Sequence, residues 1–73
     1  MTRYFWDFFG PDAERTAQHF QRHLDEFLQK HACSGATTGT ESAGAGHFAA
    51  FCTAPPAHEE LVVRALRPRR KAV

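Results

Sequence analysis

A long amphipathic helix dominates the first half of this 73-residue chain. It follows Gly10-Pro11-Asp12, and a proline in the first helical turn gives up a backbone donor that would have no partner there. The apolar side chains that follow recur at spacings of four, three, four, three and one, so they form one stripe. They are Ala13, Ala17, Phe20, Leu24, Phe27 and Leu28. The pattern predicts about 20 helical residues ending near 31–33, a rod of roughly 30 Å.

A chain of this length has room for one domain with a thin core. Such a domain buries only about 60% of the surface that its unfolded chain exposes, and its expected free energy of unfolding is on the order of 4–10 kcal/mol. Small domains often gain stability from a disulfide, a metal or a partner subunit. With Cys33 and Cys52 alone, a disulfide-rich secreted scaffold is excluded. Reduced thiols are favoured over a single Cys33–Cys52 bridge.

The start of the chain does not resemble a signal peptide. Asp7, Asp12 and Glu14 interrupt its apolar character, so the apolar h-region is missing. No apolar run approaches the length that crosses a bilayer. We therefore expect a cytoplasmic protein with no membrane partner.

Two runs of apolar residues predict strands. Residues 3–9 contain five aromatic side chains, which suit a pleated, half-buried surface. Alternation divides this strand between two faces, and we assign the uncharged face to the core. The core set is Tyr4, Trp6 and Phe8, and the opposite set is Arg3, Phe5, Asp7 and Phe9. Residues 47–52 are short, apolar and bounded by turn residues, which is typical of a buried strand.

Residues 34–46 contain no large apolar side chain, and two interpretations compete. The segment is either a mobile loop rich in Gly, Ser and Thr, or an edge strand with a turn at residues 43–46. We favour the strand, because residues 47–52 need a pairing partner.

The order of elements predicts an α+β domain, a two-layer sandwich of the type βαββα. Pro55-Pro56 introduces the second helix, and Pro68 ends it. A right-handed crossover with residues 47–52 inserted antiparallel gives a split βαβ sheet of three strands, with both helices on one face. In architecture this resembles a ferredoxin-like fold without its last strand, and no motif identifies a family. We expect one domain over residues 1–67 and a basic C-terminal tail over residues 68–73.

The charge is divided unevenly along the chain. Residues 1–63 carry eight acids and four bases, a net charge of −4, whereas residues 64–73 carry five bases and no acid, a net charge of +5. The basic run includes Arg67, Arg69, Arg70 and Lys71, which are candidates for contacts with nucleic-acid phosphates. Phe5 and Phe9 are the candidates for base stacking beside them. A solvated tail is the favoured alternative, because the body of the chain is acidic.

His19 and His23 form the best candidate metal site. Histidines at i and i+4 share one face of a helix and are able to bind one zinc or copper ion. The third ligand would come from Glu26, His47, His58 or a partner subunit. Two surface histidines with no metal are the favoured alternative.

No catalytic arrangement is evident. Asp7 is a candidate general base, but a carboxylate facing solvent, or bonded to Arg3 or a backbone amide, is favoured. His31 and Cys33 are more typical of a helix end with a buried cysteine than of a nucleophile pair. Residues 39–46 lack the lysine of a phosphate loop. We therefore expect neither an enzyme nor a cofactor.

Surplus aromatic side chains favour association. With both helices on one face of the sheet, the other face presents Phe5 and Phe9, together with either Phe51 or Phe48 from the strand at 47–52, of which we choose Phe51. An apolar patch of this kind on a small domain usually marks an interface, most often in a twofold homodimer. A non-enzymatic interaction or regulatory module, homodimeric or bound to another protein, is the preferred function. Metal binding is the first alternative and nucleic-acid binding the second.

Overall fold

The fold combines two helices with a four-stranded antiparallel sheet, and it confirms the predicted α+β class. The structure is a computed structural model, and it describes residues 1–72. The elements are β1 (Thr2–Phe9), α1 (Ala13–Lys30), β2 (Thr37–Gly44), β3 (His47–Ala54), α2 (Pro56–Leu66) and β4 (Arg70–Ala72). The strand order across the sheet is β2-β3-β1-β4. No helix in residues 1–72 is both long and apolar enough to cross a membrane.

Helix α1 covers the sheet with the apolar stripe that its spacing predicted. Ala13, Ala17, Leu24 and Leu28 are buried, while Phe20 and Phe27 pack partly buried at the margin of the core. The helix ends at Lys30, slightly earlier than predicted, because Ala32 adopts a left-handed conformation with φ of 53°.

The core lies between the helices and one face of β1 and β3. These strands pair antiparallel along their full length, with Trp6 opposite Ala50. Tyr4 and Trp6 are buried, as the alternation predicted, and they share one cluster with Val62 of α2 and the α1 stripe. Trp6 also donates from its indole nitrogen to the backbone oxygen of Leu66 at 2.8 Å. Both helices therefore lie on the same face of the sheet.

Two predictions about the sheet have different outcomes. Residues 37–44 form an edge strand on β3, which confirms the strand interpretation over the mobile loop. The predicted three-stranded sheet is wrong, because residues 70–72, expected to belong to a tail, pair with β1 as a fourth strand. This strand has no signal in the sequence, since its three residues are all exposed and carry no apolar pattern.

A close approach between β2 and β3 explains why residue 39 is a glycine. Gly39 lies opposite Phe51 in the register, and the phenyl ring leans over its α-carbon. A β-carbon placed on Gly39 would lie 2.8 Å from Cε2 of Phe51. The glycine thus makes room for the ring on the face of the sheet that the helices leave uncovered.

We expect Gly39→Ala to destabilise the protein by about 1–3 kcal/mol, because the added methyl group collides with Phe51. In a Phe51→Ala background the same change should stabilise by roughly 0.5–1 kcal/mol, since alanine restricts the unfolded chain more than glycine does. Urea unfolding of the four proteins completes the double-mutant cycle. An equal effect of Gly39→Ala in both backgrounds would contradict the steric explanation.

Candidate functional site

The face of the sheet opposite the helices carries aromatic and charged side chains in contact with each other. We call it the helix-free face. Strand alternation and the observed registers define its members. They are Arg3, Phe5, Asp7 and Phe9 of β1, His47, Ala49, Phe51 and Thr53 of β3, Gly39 and Glu41 of β2, and Arg70 of β4.

Two guanidinium groups lie over the two central rings of this face. Arg70 lies 4.5 Å from the centroid of Phe5, and Arg3 lies 4.3 Å from that of Phe51. Phe5 is consequently only 8% exposed, although no helix covers it. A cation above a ring is attracted to its negative face, so these arginines shield the rings and present charge to solvent.

Asp7 of β1 contacts side chains on both neighbouring strands, β3 and β4. Its carboxylate accepts two hydrogen bonds from Arg70, at 2.8 Å from Nε and 2.6 Å from Nη2. His47 Nε2 lies 2.8 Å from the same carboxylate, and it carries the proton of this bond because an ionised carboxylate only accepts. The side chain of Asp7 is 10% exposed and that of Arg70 is 48% exposed.

These bonds determine the acidity of Asp7. Hydrogen bonds from Arg70, and to a smaller extent from His47, lower the pKa of Asp7 from 3.8 to about 2, although burial acts in the opposite direction. A carboxylate with so low a pKa is a poor general base. None of the favoured alternatives for Asp7 included Arg70 or His47, and Arg3, one of those alternatives, instead donates to the hydroxyl of Thr53 at 2.9 Å.

Phe9 is the exposed aromatic group of the helix-free face. It is 72% exposed, and its ring stacks on His47 with centroids 4.3 Å apart and an angle of 24° between the planes. His47 thus contacts Asp7 on one side and Phe9 on the other. Of the three rings predicted to form an interface, Phe9 is the most accessible, Phe51 is half-buried under Arg3, and Phe5 is buried under Arg70.

The predicted metal pair lies on the other side of the molecule. His19 and His23 are adjacent on α1, with ring centroids 4.8 Å apart, and His23 lies 3.5 Å from the carboxylate of Glu26. His47 faces Asp7 on the helix-free face. Within residues 1–72, no group of three histidine, cysteine or acidic side chains is arranged to hold a metal ion. The described residues therefore form no three-ligand metal site around His19 and His23.

The cysteines and the helix-end histidine take structural positions. Cys33 and Cys52 are buried and not bonded to each other. Burial, with a smaller effect from Cys33, raises the pKa of Cys52 to about 11, so its thiol stays protonated at neutral pH. His31 packs against Phe27 with centroids 4.4 Å apart.

The basic run is divided between two sides of β4. Arg70 pairs with Phe5 in the register and belongs to the helix-free face, whereas Lys71 pairs with Tyr4 and points to the side of the helices. Arg67 and Arg69 lie in the connection between α2 and β4. The structure thus brings one of the four proposed phosphate contacts next to the aromatic rings.

The sequence patterns did not identify Asp7, His47 and Arg70 as one cluster. Phe9 pairs with His47 in the antiparallel register, so aligning β1 with the strand at residue 47 would have placed His47 near Asp7. The contribution of Arg70 had no comparable signal, because it depends on β4. Comparison with protein-family models, curated protein sequences and solved structures gave no match.

We predict that Asp7 stabilises the fold above its unfolded-state pKa. Since its pKa is lowered from 3.8 to about 2 on folding, the stabilisation is fully present above pH 4 and is lost as the pH falls towards 2. Asp7→Asn should cost about 1–2 kcal/mol at pH 5, as expected for hydrogen bonds to a charged partner, and less at pH 2. Urea unfolding across this pH range measures the difference.

Asp12→Asn is the matched control, because the Asp12 side chain makes no capping hydrogen bond. At pH 5 its cost should be smaller than that of Asp7→Asn. A wild-type advantage over Asp7→Asn that is the same at pH 5 and pH 2 would contradict the role of the ionised carboxylate.

Proposed function

We propose that this protein is a small non-enzymatic interaction module whose helix-free face binds a second copy of the chain. The observation that carries the proposal is Phe9, which is 72% exposed at the end of a face whose other rings are covered by arginine. Aromatic residues and arginine are enriched at the centres of protein interfaces. The ion-paired Asp7 supports a binding role over a catalytic one.

The charges of this face are self-complementary. Arg3 lies towards one end of the strands, Asp7 and Glu41 lie in a middle row on either side of Ala49, and Phe9 lies at the other end. The formal charges of Arg3, Arg70, Asp7 and Glu41 sum to zero. A face with both signs in separate rows suits a twofold contact, in which each copy supplies the same patch.

The arrangement of rows favours one orientation of the two copies. A twofold axis perpendicular to the strands reverses the strand direction of one copy relative to the other. The arginine end of each copy then faces the end of the other copy that carries the acidic row. In this orientation Phe9 of one copy approaches Arg3 of the other, whose guanidinium already lies over Phe51. An axis along the strands would instead set arginine against arginine, and like charges at an interface are unfavourable.

The area of the face supports a weak dimer. Three strands of eight residues and one of three, at ~3.3 Å per residue and ~4.8 Å between strands, give a projected area of roughly 400 Å². Two copies would bury about 800 Å² before the relief of the side chains is counted. Specific interfaces bury about 1,000 Å² or more, so we expect a dissociation constant in the micromolar range.

A second candidate function is nucleic-acid binding. The specific observation in its favour is that Arg70 lies beside Phe5 and Phe51 on an exposed sheet, the kind of surface on which sheet-based RNA-binding domains stack bases. The neutral total charge of the face and the burial of Phe5 make this the second choice.

Two finer proposals accompany the function. We infer a ferredoxin-like architecture with a shortened last strand, supported by the strand order β2-β3-β1-β4 and by two helices on one face. We also propose a cytoplasmic location, supported by two unbonded cysteines.

We expect sedimentation equilibrium to give a mass near twice 8.2 kDa at concentrations of about 100 µM. Phe9→Ser should weaken the dimer about tenfold or more, because it removes the exposed ring at the proposed contact. Val63→Ser is the matched control, since Val63 is also an exposed apolar residue but lies on α2. A monomeric wild type, or an equal loss in Val63→Ser, would contradict the proposal.

The nucleic-acid alternative has its own measurement. If the face serves dimerisation, fluorescence anisotropy with a labelled poly-uridine or poly-thymidine oligonucleotide should show no saturable binding at 150 mM salt. Binding that strengthens at low salt and is lost in Arg70→Gln would replace the dimer proposal with the nucleic-acid one. Arg15→Gln, on the exposed side of α1, is the control for general loss of positive charge.

A further inference from the structure

A cleft of about 400 Å³ opens beside β4, on the side of the sheet that carries the helices. Tyr4, Val63 and Pro68 supply its apolar surface. Lys71 lies at the same side because it pairs with Tyr4 in the register. The volume falls within the range of roughly 300–1,000 Å³ that is usual for small-molecule sites.

The charge around the cleft is positive and largely unneutralised. Four cations line it, Arg67, Arg69, Arg70 and Lys71, and no acidic side chain does so within residues 1–72. Arg70 is paired with Asp7, whereas none of the ion pairs formed in this part of the chain involves the other three cations. Glu59, one helical turn before Val63, does not line the cleft, and its Oε1 accepts hydrogen bonds from Thr2 and Tyr4 of β1.

Hydrogen bonds hold the wall of the cleft in a fixed position. The indole of Trp6 donates to the backbone oxygen of Leu66 at 2.8 Å. The backbone nitrogen of Arg69 donates to the oxygen of Phe5, also at 2.8 Å. Between them, Arg67 adopts a left-handed conformation with φ of 47°, which is uncommon for a residue with a side chain. The cations are thus carried by a segment anchored at both ends, which reduces the entropy lost on binding a ligand.

We propose that this cleft binds a small amphiphilic anion, with an apolar body against Tyr4, Val63 and Pro68 and a carboxylate among the three cations. Positive charge without a protein counter-charge favours an anionic group, and the apolar surface favours a ligand with a hydrocarbon or aromatic part. The site and the helix-free face share Arg70, which also lines the cleft; its guanidinium is hydrogen-bonded to Asp7, so the anion is assigned to the other three cations.

Titration of the full chain with hexanoate, followed by ¹H–¹⁵N NMR, tests the proposal. We expect saturable shifts of the amide signals of Tyr4, Val63 and Lys71. Acetate has the charge without the apolar body and 1-hexanol has the body without the charge, so each should bind at least about tenfold more weakly. Shifts confined to these positions are expected whether the chain is a monomer or a dimer.

Arg69→Gln combined with Lys71→Gln should weaken hexanoate binding about tenfold or more, whereas Arg15→Gln should leave it unchanged. Retention of the Phe5 and Arg70 signals shows that β4 still forms in the double variant. Equal affinities for acetate and hexanoate would indicate general anion binding and overturn the proposal. Unchanged hexanoate binding in the double variant, or shifts centred on Phe9, would also overturn the proposal. The comparison of hexanoate, acetate and 1-hexanol uses the wild-type chain, so it tests the proposal even if the double variant does not fold.

Discussion

The antiparallel pairing of β1 with β3 holds both sides of this domain in position. Its eight residue pairs run from Thr2 opposite Ala54 to Phe9 opposite His47. Because successive side chains point to opposite faces, the same register sends Trp6 into the core and Asp7 to the helix-free face. A shift by one residue would exchange the two sets. The buried Tyr4 and Trp6 therefore fix the position of every charged group on the opposite surface.

In a sheet that helices cover on one face only, the apolar side chains of the other face lie next to water. Here the solution is electrostatic, because the guanidinium groups of Arg3 and Arg70 lie over phenyl rings that would otherwise be exposed. Arginine suits this role since its planar group stacks on a ring while its edges still donate hydrogen bonds. Arg70 donates two such hydrogen bonds to the carboxylate of Asp7. The surface is therefore aromatic in composition and charged in what it presents to solvent.

The parts of this structure that local periodicity encodes were predictable. The stripe from Ala13 to Leu28 specified α1, and alternation in β1 separated Tyr4 and Trp6 from Phe5 and Asp7. The weak segment at residues 37–44 was assigned from the need of β3 for a partner. Each of these predictions used information within one element or between neighbouring elements.

The part of the structure that depends on β4 was not predictable. β4 has three exposed residues, and neither its composition nor its length distinguishes it from a tail. Because β4 was missed, Arg70 was not among the expected partners of Asp7, and the ring of Phe5 was expected to be accessible. The structure thus places the three predicted aromatic residues on one face of the sheet, and the prediction lacked the ionic contacts of that face.

The pairing of β4 with β1 also has a kinetic consequence. It joins residues from almost opposite ends of the chain, such as Arg3 and Ala72, so its loop-closure entropy is among the largest in the fold. A three-residue edge with few buried contacts is expected to form late and to open locally while the rest of the sheet stays closed. Each such opening would lift Arg70 from Phe5 and free one edge of β1. The native ensemble therefore contains a minor population in which an apolar ring and an unpaired backbone edge are exposed together, the combination through which small β-proteins aggregate.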